Sequence, residues 1–269
     1  MAVASKFLAV GAVVPWVTGG VGAVATQSYA NTAFGPLALE GMRAGRTLED
    51  IARALEAGDA EYQQRQYGLV DSSGASLTFT GSGCHAWAGG RRGAGYAAQG
   101  NLLAGPQVVD ALAQTYEARA DLSFPERLLE ALLAADRAGG DARGRQSAAL
   151  YVARVGGGYA GFNDRLIDLR VDDHPDPVPE LQRLLDIHRL LFERPDENTL
   201  LEIRSDVARQ LRTILERAGR LEAGTEWNDA AQQALEGLAG VENLEERMVR
   251  PGLVDPLVLR YLLERYEAQ

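Results

Sequence analysis

Four polar clusters contain the side chains of this sequence that could do chemistry. They comprise residues 26–31 (Thr-Gln-Ser-Tyr-Ala-Asn), 80–87 (Thr-Gly-Ser-Gly-Cys-His-Ala-Trp), 139–147 and 168–177. Polar residues at the ends of buried strands converge in space when the strands share one sheet, and such positions often form sites. Turn residues that satisfy backbone groups explain any one cluster more simply, whereas the four clusters together favour a site.

The third cluster suggests carboxylate binding. Asp141, Arg143 and Arg145 follow a Gly-Gly turn and precede a predicted strand. Two arginines separated by one residue can face the same side and hold a carboxylate through bidentate hydrogen bonds. A surface salt bridge explains these residues equally well, so both interpretations stay open.

Two patterns that contain a histidine are less specific. Asp172, Asp173, His174 and Asp176 could bind a hard divalent cation, but their spacing matches no metal motif, and a turn that caps the helix after it is the expected role. Cys84 and His85 are adjacent, and adjacent strand residues point to opposite faces. A Cys–His catalytic pair is therefore not expected, and neither a metal nor another cofactor is predicted.

Composition excludes several classes of function. The chain has 269 residues, 46% of them hydrophobic, and a net charge of −10. Lys6 is the single lysine and no basic stripe is visible, so neither a nucleic-acid nor a membrane partner is expected. The uncharged stretch 7–25 is long enough to span a bilayer, but Gly and Pro interrupt it, and its alternating valines favour strands over a signal peptide. A cytoplasmic location is expected, and export stays open.

The elements that must position these clusters follow from hydrophobic periodicity. Strands are predicted at 2–5, 12–17, 21–27, 66–70, 76–80, 147–155 and 165–171, with short strands and turns in 81–100. Helices are predicted at 34–44, 47–57, 106–117, 124–137 and 177–192, and in the tail at 200–218, 227–239 and 256–267. Paired helices between sets of adjacent strands favour antiparallel sheets with helices outside.

This order predicts an α+β fold, with a four-layer αββα sandwich followed by a small all-α domain. The domains are predicted at residues 1–192 and 199–269. The polar segment 193–198 serves as the linker between them.

Several segments, taken together, resemble one bacterial and archaeal family. They are residues 2–11, 26–31, 65–66, 80–81, 100–101, 139–150 and 168–174, and together they resemble DUF1028, a family of unknown function, over residues 1 to about 192. The tail resembles a peptidoglycan-binding domain that accompanies some members, through residues 210–211, 218–219, 227–228, 234–235 and 242–247. DUF1028 is grouped with the N-terminal nucleophile (Ntn) hydrolases, which implies the αββα sandwich and hydrolysis of an amide.

An Ntn hydrolase attacks with a Thr, Ser or Cys at its N-terminus and uses the α-amine as base. Met1 and Ala2 offer no such nucleophile, and family members usually have about a dozen further residues before this point. We therefore expect that the nucleophile lies upstream of Met1.

Two hypotheses follow. The first is an Ntn-type amide hydrolase acting on a small molecule or a peptide, such as a peptidoglycan fragment. Its expected pocket residues are Ser5, Thr26, Ser28 and Asn101, and its expected substrate-binding residues are Asp141, Arg143, Arg145, Asp172 and His174. The second is a non-catalytic module that recognises a cell-wall glycopeptide or a partner protein. A homo-oligomer is compatible with both hypotheses.

Overall fold

A computed structural model describes residues 1–267 of the chain as a mixed α+β protein. Its helices are α1 (Phe34–Arg43), α2 (Leu48–Ala57), α3 (Pro106–Ala118), α4 (Phe124–Arg137), α5 (Pro177–Phe192), α6 (Ser205–Arg217), α7 (Asp229–Val241) and α8 (Pro256–Glu267). Its strands are β1 (Ala2–Ser5), β2 (Pro15–Thr18), β3 (Gly22–Gln27), β4 (Gln66–Asp71), β5 (Ser76–Thr80), β6 (Gly89–Gly93), β7 (Tyr96–Gly100), β8 (Ser147–Ala153), β9 (Arg165–Val171), β10 (Leu201–Glu202) and β11 (Leu253–Val254).

Antiparallel pairing organises these strands into four small sheets. The largest has the order β2-β3-β4-β5, and a three-stranded sheet has the order β1-β8-β9. β6 and β7 form a hairpin, and β10 pairs with β11. The expected antiparallel arrangement is thus present.

Helices α1 and α2 cover one face of the four-stranded sheet. Their apolar sides share a core with the strand residues Val24, Tyr67 and Leu69. The Thr47 hydroxyl accepts a hydrogen bond from the Asp50 N–H at 3.1 Å and so caps the start of α2, as the sequence predicts. Glycine follows the last turn of α2 at Gly58.

Helices α3 and α4 pack against each other, and α3 also contacts β6 and β7. α4 packs against β1 and β8, and Leu129 and Leu132 of α4 are buried. Its first turn has a capping box between Ser123 and Glu126, with Pro125 beside it. These contacts fix the loop after α4, which carries the third polar cluster.

Two compact units divide the chain, Met1–Leu184 and Leu185–Gln269. They are called the first and the second unit below. The core of the second unit gathers apolar residues of α6, α7 and α8, among them Leu211, Leu235 and Leu262. No helix within residues 1–267 is long and apolar enough to cross a membrane.

Two local predictions were wrong. Residues 10–12 form a 3-10 turn, and the following strand spans Pro15–Thr18 rather than 12–17. The helix predicted from residue 200 begins at Ser205, because Leu201 and Glu202 pair with Val254 and Leu253. Pairing with residues some fifty positions away leaves no trace in local periodicity.

Candidate functional site

A cavity of about 1030 Å³ lies within the first unit. Residues of β1, β3, β7, α3 and α4 line it, together with the loops that follow β3 and α4. Its size is at the upper end of the range for small-molecule sites. Six of the nine sequence-predicted site residues line it: Ser5, Ser28, Asn101, Asp141, Arg143 and Arg145.

The other three predicted residues, Thr26, Asp172 and His174, lie outside the cavity lining. Thr26 is fully buried, and its hydroxyl donates to the Asn31 carbonyl at 3.1 Å. The Asp172 carbonyl accepts from the Ala9 N–H at 3.0 Å. His174 accepts the Asp176 N–H on Nδ1 at 3.0 Å, a contact that fits the expected turn before α5.

Asp141 anchors the loop that precedes β8. Its carboxylate accepts from the Arg143 Nη2 at 2.7 Å and from the Lys6 N–H at 3.0 Å. The Ser5 hydroxyl reaches the same carboxylate at 3.4 Å. Partial burial alone would raise the pKa of Asp141, but the hydrogen bonds from Arg143 and Lys6 outweigh it and lower this pKa.

Arg145 has a similar arrangement. Its Nε donates to Asp136 at 2.7 Å, and its Nη1 lies 3.4 Å from Asp176. Both Arg143 and Arg145 therefore bind carboxylates of the chain itself, as the salt-bridge interpretation describes. Each side chain remains close to half exposed.

Backbone hydrogen bonds bring the second and third polar clusters together. The Leu102 N–H donates to the His85 carbonyl at 3.1 Å, and the Ala142 N–H donates to the Leu102 carbonyl at 2.8 Å. The His85 ring joins the first cluster as well, since its Nε2 lies 3.2 Å from the Tyr29 hydroxyl. The Cys84 thiol instead donates to the Arg65 carbonyl at 3.3 Å, so the two adjacent residues have different partners.

Gln66 connects the strands behind the cavity. Its side chain is fully buried, and Nε2 donates to the Gly100 carbonyl at 2.8 Å and to the Thr80 hydroxyl at 2.9 Å. Its Oε1 accepts from Gln27 at 2.8 Å and from Asn101 at 3.1 Å. Asn101 is thereby held at the cavity wall by a fully buried amide.

The turn after β3 has a strained backbone. Ser28 and Tyr29 have φ angles of 56° and 48°, a left-handed conformation that is uncommon outside glycine. Arg65 holds this turn, since its Nη1 donates to the Tyr29 carbonyl at 2.5 Å while its Nε donates to Asp59 at 2.9 Å. Such strain persists only where the surroundings over-determine it, and it clusters at functional sites.

Asp59 binds two residues that hold this turn in place. It accepts hydrogen bonds from Arg65 and from Asn31, the latter at 2.9 Å, and its side chain is only 7% exposed. The hydrogen bond from Arg65 is the main cause that holds the pKa of Asp59 far below its usual range, and the bond from Asn31 adds to it.

The Ser28 hydroxyl is the unusual polar atom of the cavity. Its Oγ is buried and has no hydrogen-bond partner among residues 1–267. A buried hydroxyl without a partner carries a desolvation cost, which lowers the stability of the folded state.

Several features at the cavity were missed from the sequence. His85 lines the cavity, and so do Tyr29 and Arg65. The position of the first cluster at the end of a strand was the sequence signal for this part of the site. The positive φ angles gave no sequence signal, because Ser and Tyr rarely adopt them. Within the described part of the chain, no group of three or more His, Cys, Asp or Glu side chains is placed to hold a metal ion.

Comparisons with known proteins give two family matches and matches to solved structures. Residues 1–181 match the model described as "Family of unknown function (DUF1028)", and residues 191–262 match one described as "Putative peptidoglycan binding domain". A crystal structure of a DUF1028 protein from Silicibacter pomeroyi is similar, with 29% identity, a TM-score of 0.63, and coverage of 77% of this chain and 81% of that one. No curated protein is significantly similar.

Proposed function

Because the chain belongs to the DUF1028 family, whose function is unknown, we propose its activity from the site: the first unit hydrolyses an amide bond in its cavity, in a role related to the cell wall. The observation that carries this proposal is the meeting of three polar clusters at one cavity wall. The αββα sandwich is the arrangement we propose for the first unit, with α1 and α2 outside one sheet.

The proposed chemistry is that of an Ntn hydrolase. A terminal hydroxyl or thiol attacks the carbonyl carbon of the amide, its proton passes to the α-amine, and the departing amine receives that proton before water releases the acid. Asn101 and backbone N–H groups are proposed to stabilise the oxyanion. All residues of β1 line the cavity, which supports a reaction close to this strand.

The amino group at Met1 illustrates the local environment. It donates to the Tyr151 carbonyl at 2.6 Å, and burial lowers its pKa to about 5. The proposal places the reacting amine on a Thr, Ser or Cys at the mature N-terminus rather than on Met1.

The decisive experiment is to determine the N-terminus of the native protein by intact mass and N-terminal sequencing. We expect a free Thr, Ser or Cys. Substitution of that residue by Ala should abolish release of new amines from a digest of peptidoglycan stem peptides, measured by amine labelling. A native chain that starts at Met1 or Ala2 would rule out the Ntn mechanism.

The second unit is proposed to bind a peptidoglycan fragment, on the strength of the family match over residues 191–262. Sugar binding commonly uses an exposed aromatic ring. Tyr261 and Tyr266 donate their hydroxyls to Glu242 at 2.8 and 2.7 Å, and Trp227 packs against the core. Phe192, by contrast, is 60% exposed, so we assign the stacking contact to it.

This assignment is testable with the full chain. Phe192→Ala should reduce co-sedimentation with purified insoluble peptidoglycan severalfold. Val241→Ala, at a residue that is 58% exposed in the same unit, is the matched control and should sediment like the wild type. Equal sedimentation of both variants would remove Phe192 from the interface, and absence of wild-type sedimentation would remove peptidoglycan as the partner.

A non-catalytic binding module is the second candidate. The observation that favours it is the pairing of Arg143 and Arg145 with carboxylates of the chain. This candidate predicts ligand binding without turnover, even for a preparation with the native N-terminus.

A further inference from the structure

Strand β9 forms one edge of the three-stranded sheet. It is the last strand in the order β1-β8-β9, and it pairs with β8 in a register that places Leu169 opposite Leu150. A strand at the edge of a sheet presents N–H and C=O groups that can pair with a further strand. The groups that β9 directs outward therefore decide what this edge can bind.

The outward-directed main-chain groups of β9 belong to Asp168 and Arg170. In an antiparallel sheet the N–H and C=O of one residue point to the same neighbouring strand, and successive residues alternate between the two neighbours. The Tyr151 N–H donates to the Met1 carbonyl at 2.8 Å, so the backbone of Tyr151 is directed toward β1. The residue before Tyr151 is then directed toward β9, and its partner Leu169 is directed back toward β8. Asp168 and Arg170, on either side of Leu169, therefore point their main-chain groups away from the sheet.

This edge combines unpaired main-chain groups with two opposite charges. The outward N–H and C=O groups of Asp168 and Arg170 have no hydrogen-bond partner among residues 1–267. The two side chains lie on one face of the sheet, where the Arg170 Nε donates to the Asp168 carboxylate at 2.8 Å. Arg170 is exposed and Leu169 is half-buried. A strand that pairs here would meet a negative and a positive side chain two positions apart.

We propose that β9 pairs with β9 of a second copy of this chain, in antiparallel orientation and with the two-fold axis at Leu169. In this register the main-chain groups of Asp168 bond to those of Arg170 of the second copy, and the reverse pair forms on the other side of the axis. Each carboxylate then lies directly opposite a guanidinium group, an arrangement that stabilises neighbouring strands.

The charges select this register over its neighbours. Because only the outward-directed residues can bond, the axis can move along β9 only in steps of one residue. An axis at Asp168 would place two carboxylates opposite each other, and an axis at Arg170 would place two guanidinium groups opposite each other, so both registers are repulsive. Charges on an edge strand usually prevent pairing, whereas this pair of charges is complementary to its own copy.

Sedimentation equilibrium of the full chain over a series of concentrations tests this assembly. We expect a dimer for the wild type. Asp168→Arg and Arg170→Asp each place like charges opposite each other, so each should raise the dissociation constant more than about tenfold. Arg53→Asp, at an exposed position of α2, changes the net charge as Arg170→Asp does and should leave the dimer intact. A wild type that stays monomeric, or a dimer that both β9 variants leave unchanged, would overturn the proposal.

Restoring the complementary charges should restore the dimer. The double variant Asp168→Arg/Arg170→Asp reverses both charges and should dimerise like the wild type. An equimolar mixture of the two single variants should also dimerise, because one copy then carries two positive side chains and the other carries two negative ones. If circular dichroism shows that both single variants are folded and their mixture stays monomeric, the charge pairing is wrong.

A disulfide at the two-fold axis tests the register without any charge variant. Leu169 would face Leu169 of the second copy in a non-hydrogen-bonded pair, with Cα atoms about 4.5 Å apart, a separation that a disulfide can bridge. Leu169→Cys, in a chain that also carries Cys84→Ser, should form a covalent dimer in the presence of oxidised glutathione. Val155→Cys in the same background lies outside β9 at a residue that is 71% exposed, so it is the control and should form much less. Equal cross-linking of the two variants, or none in Leu169→Cys, would overturn the proposed interface.

Discussion

At the residue scale, the turn after β3 combines strain, burial and an unused hydrogen-bonding group. Ser28 and Tyr29 both have positive φ, and Arg65, Asp59, Asn31 and Thr26 hold the turn through side-chain hydrogen bonds. Strain of this kind is retained where it positions a group for function. The strain should lower the free energy of unfolding, and a substitution that relieves the strain should raise it.

Ser28→Gly should stabilise the protein. Glycine adopts a φ of 56° without strain, so the free energy of unfolding should rise by about 1 kcal/mol. Ser28→Ala removes the unpartnered hydroxyl but keeps the strained Cβ, so the Gly variant should be the more stable of the two. Urea denaturation of the three proteins checks this, and equal stability of the Gly and Ala variants would contradict the role of strain.

The ion pair beneath this turn should make stability depend on acid pH. The pKa of Asp59 is lowered in the folded state by Arg65 and Asn31, whereas an unfolded Asp titrates near pH ~4. Stability from this carboxylate is therefore fully present above pH ~4 and is lost as the pH falls toward the folded-state pKa.

Asp59→Asn should flatten this dependence. We expect its free energy of unfolding to be lower than that of the wild type at pH 6 and to change less between pH 4 and 2.5, measured by denaturation at several pH values. Glu40→Gln, at an exposed position of α1, should keep the wild-type slope. A wild-type slope in Asp59→Asn would show that other carboxylates govern acid unfolding.

At the element scale, close approaches of the backbone fix how helices meet the sheets. α1 meets β2 at Gly35, where a Cβ would lie 2.2 Å from the Trp16 ring. Gly237 in α7 is exposed and has open space around it. The two glycines are in helices, so the same substitution tests packing in one and helix propensity in the other.

Gly35→Ala and Gly237→Ala should act in opposite directions. The first forces α1 away from the sheet and should destabilise by about 1–3 kcal/mol, as overpacking does. The second should stabilise by about 0.5–1 kcal/mol, since Ala loses less backbone entropy than Gly in a helix. Thermal unfolding of the two variants checks both signs, and a neutral Gly35→Ala would show that α1 can shift freely.

At the scale of the whole molecule, each compact unit has its own core. In the second unit a buried ion pair joins Arg247 to Asp255, with side chains 3% and 4% exposed. Arg247 also donates to the Leu190 carbonyl at 2.5 Å, which ties the end of α5 into this unit. A buried pair of this kind is costly to break, because the remaining charge has no counterpart.

Arg247→Met should therefore lower the stability of the second unit by about 3–5 kcal/mol. Hydrogen exchange measured by peptide mass spectrometry should show lost protection in α6, α7 and α8, while β3 and β4 keep theirs. The double variant Arg247→Met/Asp255→Leu should recover much of the loss, since no charge is left unpaired. Lost protection throughout both units would indicate that they unfold as one.

Much of this protein follows from its sequence alone. The Val and Ala runs between Gly and Pro predicted β1 and β3, hydrophobic periodicity predicted all eight helices of the described chain, and Thr47 and Ser123 predicted two helix starts. These signals are local, since side-chain periodicity and capping involve residues three or four positions apart. The polar clusters were visible for the same reason.

Only the tertiary structure decided how the clusters are used. It brought Tyr29 to His85 across 56 positions, paired Arg143 and Arg145 with carboxylates, and left the Ser28 hydroxyl buried without a partner. It also placed Asp172 and His174 in a turn outside the cavity lining and formed the β10–β11 pair. These contacts depend on which distant segments of the chain meet, and a local sequence pattern does not contain that information.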